Sequence, residues 1–142
     1  MRIIIFLSVL SSLIILSGCA TSPTTSSNTR PIAPQRITRA PVALHTDTAA
    51  QVTIVRDSGG LGSAISAALR LNGAPVASFR TRESMTFTLD PGDYVFGLEP
   101  SPNLGAGLRE YSFTAKTGED YFYRISVTSE GFILQRSYEI SK

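Results

Sequence analysis

The sequence predicts an all-β fold, an antiparallel β-sandwich of about seven strands formed by residues 51–142. From Gln51 onward, apolar and polar residues alternate, which is typical of strands that bury one face and expose the other. Turn-forming residues separate these runs at intervals of roughly ten residues, the spacing expected of a sandwich or a small barrel. The chain has 142 residues, which is enough for one domain of ordinary size.

Six runs show this alternation, and each predicts a strand with one apolar face. Their alternating apolar residues are Val52 and Ile54; Ile65, Ala67, Leu69 and Leu71; Met85, Phe87 and Leu89; Tyr94, Phe96 and Leu98; Tyr111, Phe113 and Ala115; and Tyr121, Tyr123, Ile125 and Val127. A short helix from Ser63 to Ala68 is the alternative at the start of the second run.

The predicted turns have specific backbone chemistry. Asn72-Gly73 suits the positive φ angles of a tight hairpin. In Asp90-Pro91-Gly92-Asp93, the proline fixes φ and the glycine supplies a positive φ, so this segment predicts a type II turn. Thr117-Gly118 and Glu130-Gly131 predict two further turns.

Charge and cysteine content narrow the classes of function. Thirteen basic and eleven acidic residues leave a net charge of +2, too small for the dense basic stripe of a nucleic-acid-binding protein. A single cysteine rules out an intramolecular disulfide framework and a Cys-based zinc site. Gly59-Gly60-Leu61-Gly62 imitates a dinucleotide-binding loop, but Ile65 stands where the third glycine would fall. No nucleotide partner is therefore predicted.

Candidates for catalysis are few. His45 is the single histidine; it lies near Asp47 in a polar segment that lacks a nucleophile motif. We therefore expect His45 to be a surface residue, and we predict neither a metal nor a catalytic residue. Arg80, Arg82 and Glu83 form a charged run between two predicted strands, which indicates a solvated edge.

The first 18 residues are typical of a secretory signal. Arg2 precedes an apolar run over residues 3–16 that only serines interrupt, and this run is shorter than the roughly 20 residues of a membrane-spanning helix. The segment ends Leu16-Ser17-Gly18-Cys19, which resembles the bacterial lipobox. The resemblance implies that the chain is cut just before Cys19 and that its thiol is acylated, so a covalent lipid is the only attached group expected. A buried free cysteine after an ordinary signal peptide is the alternative.

The lipobox resemblance also implies a location. Stable anchoring requires two lipid signals, and a lipobox cysteine carries a diacylglyceryl group and often an amide-linked chain such as palmitate. In enteric-type bacteria, an aspartate after the cysteine retains a lipoprotein in the inner membrane. Ala20 stands at that position, so we expect the periplasmic face of the outer membrane rather than the inner membrane.

Residues 19–50 predict a disordered tether between the lipid and the sandwich. Residues 21–28 contain no apolar side chain and cannot bury enough surface to offset the entropy of ordering. Arg30, Arg36 and Arg39 make this segment basic. A weak contact with anionic lipid or cell-wall polymer is the alternative to a solvated linker.

Three segments resemble a family of bacterial lipoproteins of unknown function. They are the Asn-Gly hairpin over residues 69–77, the Pro-Gly hairpin over residues 87–95, and the glycine-led aromatic strand over residues 118–125. The Leu89-Asp90-Pro91-Gly92-x-Tyr94 pattern is similar to that of PEGA-type and carboxypeptidase-regulatory-like sandwiches, which are prealbumin-like (transthyretin-like). The likeness covers about residues 51–136. It implies a prealbumin-like sandwich and no catalytic residues.

One strand carries a candidate interaction site. Alternation places Tyr121 and Tyr123 in the core and leaves Phe122 and Arg124 on the outer face. An aromatic residue beside an arginine is typical of interface hot spots. Phe122 and Arg124 are therefore candidate contacts for a protein partner in the envelope, and the alternative is that another segment of this chain covers Phe122.

These expectations lead to three hypotheses of function. The first is a membrane-anchored, non-enzymatic envelope lipoprotein that acts as a binding or accessory module. The second is a type VI secretion accessory lipoprotein, since that class resembles this chain in placing a prealbumin-like sandwich behind a lipid anchor. The third is an unrecognised periplasmic enzyme, which we disfavour because no segment indicates a polar cleft.

Overall fold

The described residues form nine β-strands and one short 3₁₀ helix. The structure, a computed structural model, describes residues 22–24, 28–60, 62–103, 105 and 107–138. The strands are β1 (Arg30–Pro31), β2 (Ala50–Arg56), β3 (Ser66–Leu71), β4 (Ala74–Phe79), β5 (Glu83–Leu89), β6 (Gly92–Ser101), β7 (Arg109–Ala115), β8 (Asp120–Thr128) and β9 (Gly131–Ser137). The 3₁₀ helix spans Pro34–Arg36.

The strands form two sheets, which confirms the predicted all-β sandwich. One sheet has the order β1-β5-β2-β8-β9 and the other has the order β4-β3-β6-β7. The pairings β1–β5 and β2–β8 are parallel, so the five-stranded sheet is mixed rather than antiparallel as predicted. Between β2 and β8 the chain crosses to the second sheet for β3 and β4, returns for β5, and crosses again for β6 and β7. This gives the long connection that parallel strands require.

The loops of the described chain gather at two ends of the sandwich. We call one the Ser58 end, formed by residues 57–60, 62–65, 80–82, 102–103, 107–108 and 129–130. We call the other the Asp90 end, formed by residues 44–49, 72–73, 90–91 and 116–119. Because β2 and β8 run side by side in the same direction, both strands finish at the Ser58 end.

Aromatic side chains from both sheets form the centre of the core. Phe96 stacks on Phe113 with ring centroids 4.6 Å apart, and Tyr123 of the opposite sheet meets Phe96 edge-on at 5.4 Å. Tyr121 and Tyr123 are both buried, as alternation along β8 predicts. Stacked and edge-on pairs stabilise a core beyond the area that they bury.

The Asn-Gly hairpin is confirmed, and the other specific turn is different from the prediction. Asn72 and Gly73 have φ angles of 48° and 80°, as a tight hairpin with positive φ requires. Gly92 has a φ of 156° and begins β6, whereas a type II turn needs about +80° at that position. The interpretation of residues 90–93 as a type II turn is therefore wrong.

The helix considered from Ser63 to Ala68 does not form. Turn residues lead directly into β3 at Ser66. The guanidinium of Arg56 donates hydrogen bonds to the carbonyl oxygens of Gly62 and Ile65, which are acceptors that a helix would use for its own backbone. Ala67 and Leu69 are both buried on one face of the strand. Burial of every second residue is the pattern of a strand and not of a helix.

Residues 28–45, which we call the N-terminal strap, lie against the sandwich. β1 pairs with the edge strand β5, Ile37 bridges to Ala77 in β4, and the backbone N–H of Ala43 donates to Thr88 Oγ1. The strap thus crosses from β5 in one sheet to β4 at the edge of the other sheet, and then returns to β5. Ile32 is 4% exposed and belongs to the core.

The predicted tether over residues 19–50 differs from the structure in its second half. The strap is ordered because a few apolar side chains, such as Ile32 and Ala43, are buried despite the polar and proline-rich composition around them. The boundary predicted at residue 51 therefore lies too late in the chain, because the sandwich includes the strap.

Candidate functional site

The predicted lipidation site lies outside the described residues. Cys19 and the lipobox residues Leu16, Ser17 and Gly18 all precede Ser22, where the described chain begins. Among the described residues, no helix is long and apolar enough to cross a membrane.

The predicted interaction residues lie on the outer face of the five-stranded sheet. Phe122 is half-buried and sits between Thr53 of β2 and Ser137 of β9 in the strand register. It is not part of the hydrophobic core cluster. Arg124 lies two residues along the same strand, but its side chain is only 25% exposed, because it binds Asp57.

Asp57 is a buried carboxylate with a full set of hydrogen-bond partners. Its Oδ1 accepts from Arg124 Nε at 3.0 Å and from Arg124 Nη2 at 2.7 Å. Ser126 Oγ donates to Oδ2 at 2.7 Å, and the backbone N–H of Thr24 donates to Oδ1 at 3.3 Å. A buried charge needs such compensation, so Asp57 and Arg124 hold the outer face of the sheet together. Arg124 is therefore committed to a structural contact.

Glu83 is a second buried carboxylate at the same end. It is 3% exposed and accepts a hydrogen bond from Arg36 of the strap. Arg30 approaches it at 3.7 Å, and the backbone N–H of Arg80 donates to its Oε2 at 2.8 Å. The solvated edge predicted for Arg80, Arg82 and Glu83 is therefore wrong at Glu83. The local sequence does not reveal that Glu83 is buried, because its partner Arg36 lies 47 residues earlier in the chain.

Arg56 is a buried cation that fixes the loops of the Ser58 end. It is 1% exposed, and its Nη1 donates to the carbonyl oxygens of Ile65 and Phe79 at 2.6 and 2.7 Å. Its Cζ lies 4.7 Å from the ring centroid of Phe132, within cation–π range. Burial lowers the pKa of Arg56 to about 10, opposed by the nearby charge of Glu83. Arg56 therefore remains charged at neutral pH.

A cleft of about 250 Å³ opens beside β9 at the Ser58 end. Its lining includes Leu98 and Phe132 from the core, half-exposed Leu108, and Arg109 and Glu130. The Arg109 and Glu130 side chains approach to 3.5 Å, and Arg109 Nη2 also donates to the Glu130 carbonyl oxygen at 2.8 Å. An apolar floor with a charged rim is typical of a recognition groove. Alternation in the sequence does not reveal this cleft, because its walls come from separate strands.

His45 is a surface residue, as predicted. Its side chain is 72% exposed, and its Nδ1 lies 3.1 Å from Asp90 Oδ1. The aspartate beside it in space is therefore Asp90 rather than Asp47. Within the described part of the chain, no three His, Cys, Asp or Glu residues are grouped as metal ligands would be.

Comparison with known proteins gives no relative from which a site could be transferred. No protein-family model matches the chain, and no curated protein matches it. The site must therefore be argued from the chain's own residues.

Proposed function

We propose that this protein is a lipid-anchored lipoprotein of the bacterial envelope, whose sandwich acts as a non-enzymatic binding or accessory module. The sequence Leu16-Ser17-Gly18-Cys19 carries this proposal, because the only cysteine of the chain stands where lipidation would use it. The short apolar run before it supports export. Ala20 in place of an aspartate supports the periplasmic face of the outer membrane.

The buried charged side chains make structural contacts, and this supports a binding role at other surfaces of the fold. Arg56, Asp57 and Glu83 each hold parts of the fold together through hydrogen bonds to other elements. In the part of the chain that the structure describes, the cleft beside β9 and the outer surface around Phe122 remain open to a partner. Both combine apolar and polar groups, as protein-recognition surfaces do.

Metabolic labelling with an alkyne fatty acid tests the anchor. The wild type should take up the label and fractionate with the outer membrane. Cys19→Ser should lose the label and retain its first 18 residues, which intact-mass measurement detects. Thr21→Ser is the matched control, because it changes a neighbouring polar residue and should label normally. A Cys19→Ser protein that still labels and stays in the membrane would show that Cys19 is not the lipid site.

Photo-cross-linking in intact envelopes tests the binding role. A photoreactive phenylalanine analogue at position 122 should capture a discrete protein partner, whereas the same analogue at Phe79, which is fully buried, should not. Identical cross-linking patterns at the two positions would contradict a partner surface at Phe122.

A further inference from the structure

The first described residues are fastened to the Ser58 end of the sandwich. The backbone N–H of Ser22 donates to the Ser58 carbonyl oxygen at 2.9 Å, and Ser58 Oγ donates back to the Ser22 carbonyl oxygen at 3.2 Å. The Ser58 backbone N–H donates to Thr24 Oγ1 at 2.9 Å, and Thr24 also reaches Asp57. Residues 22–24 thus join the chain to one specific end of the fold.

This attachment limits the distance between the lipid and the sandwich. Cys19 precedes Ser22 by three residues, and three residues span at most about 11 Å when fully extended. The opposite Asp90 end lies on the order of 20 Å further away, because strands rise about 3.3 Å per residue and β2 has seven residues. A lipid on Cys19 would therefore place the Ser58 end next to the membrane.

The Ser58 end presents a basic surface. Arg30, Arg80 and Arg82 are all exposed there, whereas the carboxylates of Asp57 and Glu83 are buried and paired. Of the exposed acids near this end, Glu130 pairs with Arg109, and Glu110 lies next to Arg109 at the start of β7. The arginines are therefore the dominant charges facing outward at this end.

The Asp90 end has the opposite character. Its exposed acidic residues are Asp47, Asp93, Glu119 and Asp120, and Asp90 lies partly exposed beside them. Lys116 and Arg136 are the exposed basic residues of this region within the described chain. The sandwich is thus polarised, with its basic end at the attachment of residues 22–24.

We propose that the Ser58 end docks on the anionic headgroups of the membrane that holds the protein, with Arg30, Arg80 and Arg82 as the contact residues. This inference rests on the proposed lipidation of Cys19. The surface potential of an anionic bilayer decays over a Debye length of about 8 Å at physiological salt. The three-residue link keeps Ser22, not the arginines themselves, within about 11 Å of Cys19. Arg82 and Arg30 stand at the same end, since the Arg82 N–H donates to the Arg56 carbonyl oxygen at 3.0 Å and the Arg30 N–H donates to the Arg82 carbonyl oxygen at 2.9 Å. The arginines therefore belong to the end of the fold that the anchor holds next to this field. The acidic Asp90 end lies more than a Debye length beyond the Ser58 end and faces away from the lipid.

A depth measurement on the full lipidated protein tests this orientation. The protein is purified from membranes and reconstituted in vesicles of phosphatidylglycerol and phosphatidylethanolamine that contain a headgroup-nitroxide lipid. A fluorophore is attached at Ser129→Cys on the Ser58 end or at Thr117→Cys on the Asp90 end. Both positions are exposed turn residues. Quenching should be several-fold stronger at position 129 than at position 117.

Charge removal tests the role of the arginines. Arg80→Gln combined with Arg82→Gln should reduce the quenching difference between the two positions, as should vesicles of phosphatidylcholine alone. Arg39→Gln combined with Lys116→Gln is the matched control, because it removes the same charge away from the Ser58 end and should leave the difference intact.

The outcomes separate this inference from the proposed function. Equal quenching at positions 129 and 117 in protein that remains on the vesicles would overturn the orientation and leave the lipid anchor standing. A quenching difference that is unchanged both in phosphatidylcholine vesicles and in the Arg80→Gln/Arg82→Gln variant would overturn the arginine contact. Protein that carries no lipid and leaves the vesicles would overturn the proposed function together with this inference.

Discussion

Arg124 donates two hydrogen bonds to a single oxygen of Asp57, although the two residues are 67 positions apart in the sequence. Arg124 lies on β8, and Asp57 follows β2 directly. Their ion pair therefore joins the end of β2 to the middle of β8, two parallel strands at the centre of the five-stranded sheet.

Removing Arg124 should destabilise the protein because it leaves the buried carboxylate of Asp57 without its cation. We expect Arg124→Met to lower the free energy of unfolding by about 2–3 kcal/mol, somewhat less than for a fully buried pair because Arg124 is partly exposed. Urea denaturation measures the change. Adding Asp57→Asn to Arg124→Met should recover part of the loss, since a neutral amide is cheaper to bury. A double variant less stable than Arg124→Met would contradict this account.

Phe122 and Tyr123 should respond very differently to truncation. Phe122→Ser should cost about 1 kcal/mol or less, because Phe122 is half-buried on the outer face. Tyr123→Ser should cost about 3–5 kcal/mol, because Tyr123 packs edge-on against Phe96 in the core. Parallel urea titrations compare them. Equal losses would mean that Phe122 is part of the core, and a loss of envelope cross-links from Phe122→Ser could then not be assigned to a partner surface.

Asp90 should contribute to stability in a pH-dependent way. The backbone N–H groups of Leu44 and His45 donate to its carboxylate and lower the pKa of Asp90 below its ordinary value. A carboxyl with a lowered folded-state pKa stabilises the fold above its unfolded-state pKa, and this contribution is lost as the pH falls through the folded-state value. Asp90→Asn should therefore lower Tm at pH 7, and the Tm difference from the wild type should narrow below about pH 4.

Asp47→Asn is the control for loss of a charge at the Asp90 end, since Asp47 is exposed. A Tm difference between the wild type and Asp90→Asn that stays constant down to pH 2 would contradict this account. It would mean that the ionised carboxylate of Asp90, bonded to Leu44 and His45, is not the source of the stabilisation.

Two glycines with the same open surroundings should differ in their tolerance of alanine. A Cβ at Gly73 or at Gly60 would meet no atom within 4 Å, but only Gly73 has a left-handed φ, of +80°. Gly73→Ala should destabilise by about 1 kcal/mol because of this backbone conformation. Gly60→Ala should be neutral or slightly stabilising. Thermal melts of both variants test the turn, and a larger loss for Gly60→Ala would contradict it.

The strands could be predicted because their signal is local. Alternation identifies the buried face of β8 from Tyr121 and Tyr123 alone, and Asn72-Gly73 identifies a hairpin from two residues. The parallel pairing of β2 with β8 could not be predicted in this way, since each strand reads the same whichever direction its neighbour runs.

The buried charges of the Ser58 end could not be predicted for a related reason. Glu83 looks like part of a solvated run beside Arg80 and Arg82. Its partner Arg36 lies in a segment whose composition is that of a linker. Such pairs depend on contacts between distant parts of the chain. Composition and local sequence pattern carry no information about such contacts.

The N-terminal strap has a practical consequence for anyone who shortens the chain. A version that begins at residue 51 would lose Ile32 from the core, leave the Glu83 carboxylate without Arg36, and uncover the β5 edge that β1 occupies. An uncovered edge invites another copy to pair with it. Poor expression or self-association of such a version would therefore reflect the missing strap, and biochemical work should retain the residues from Ser22 onward.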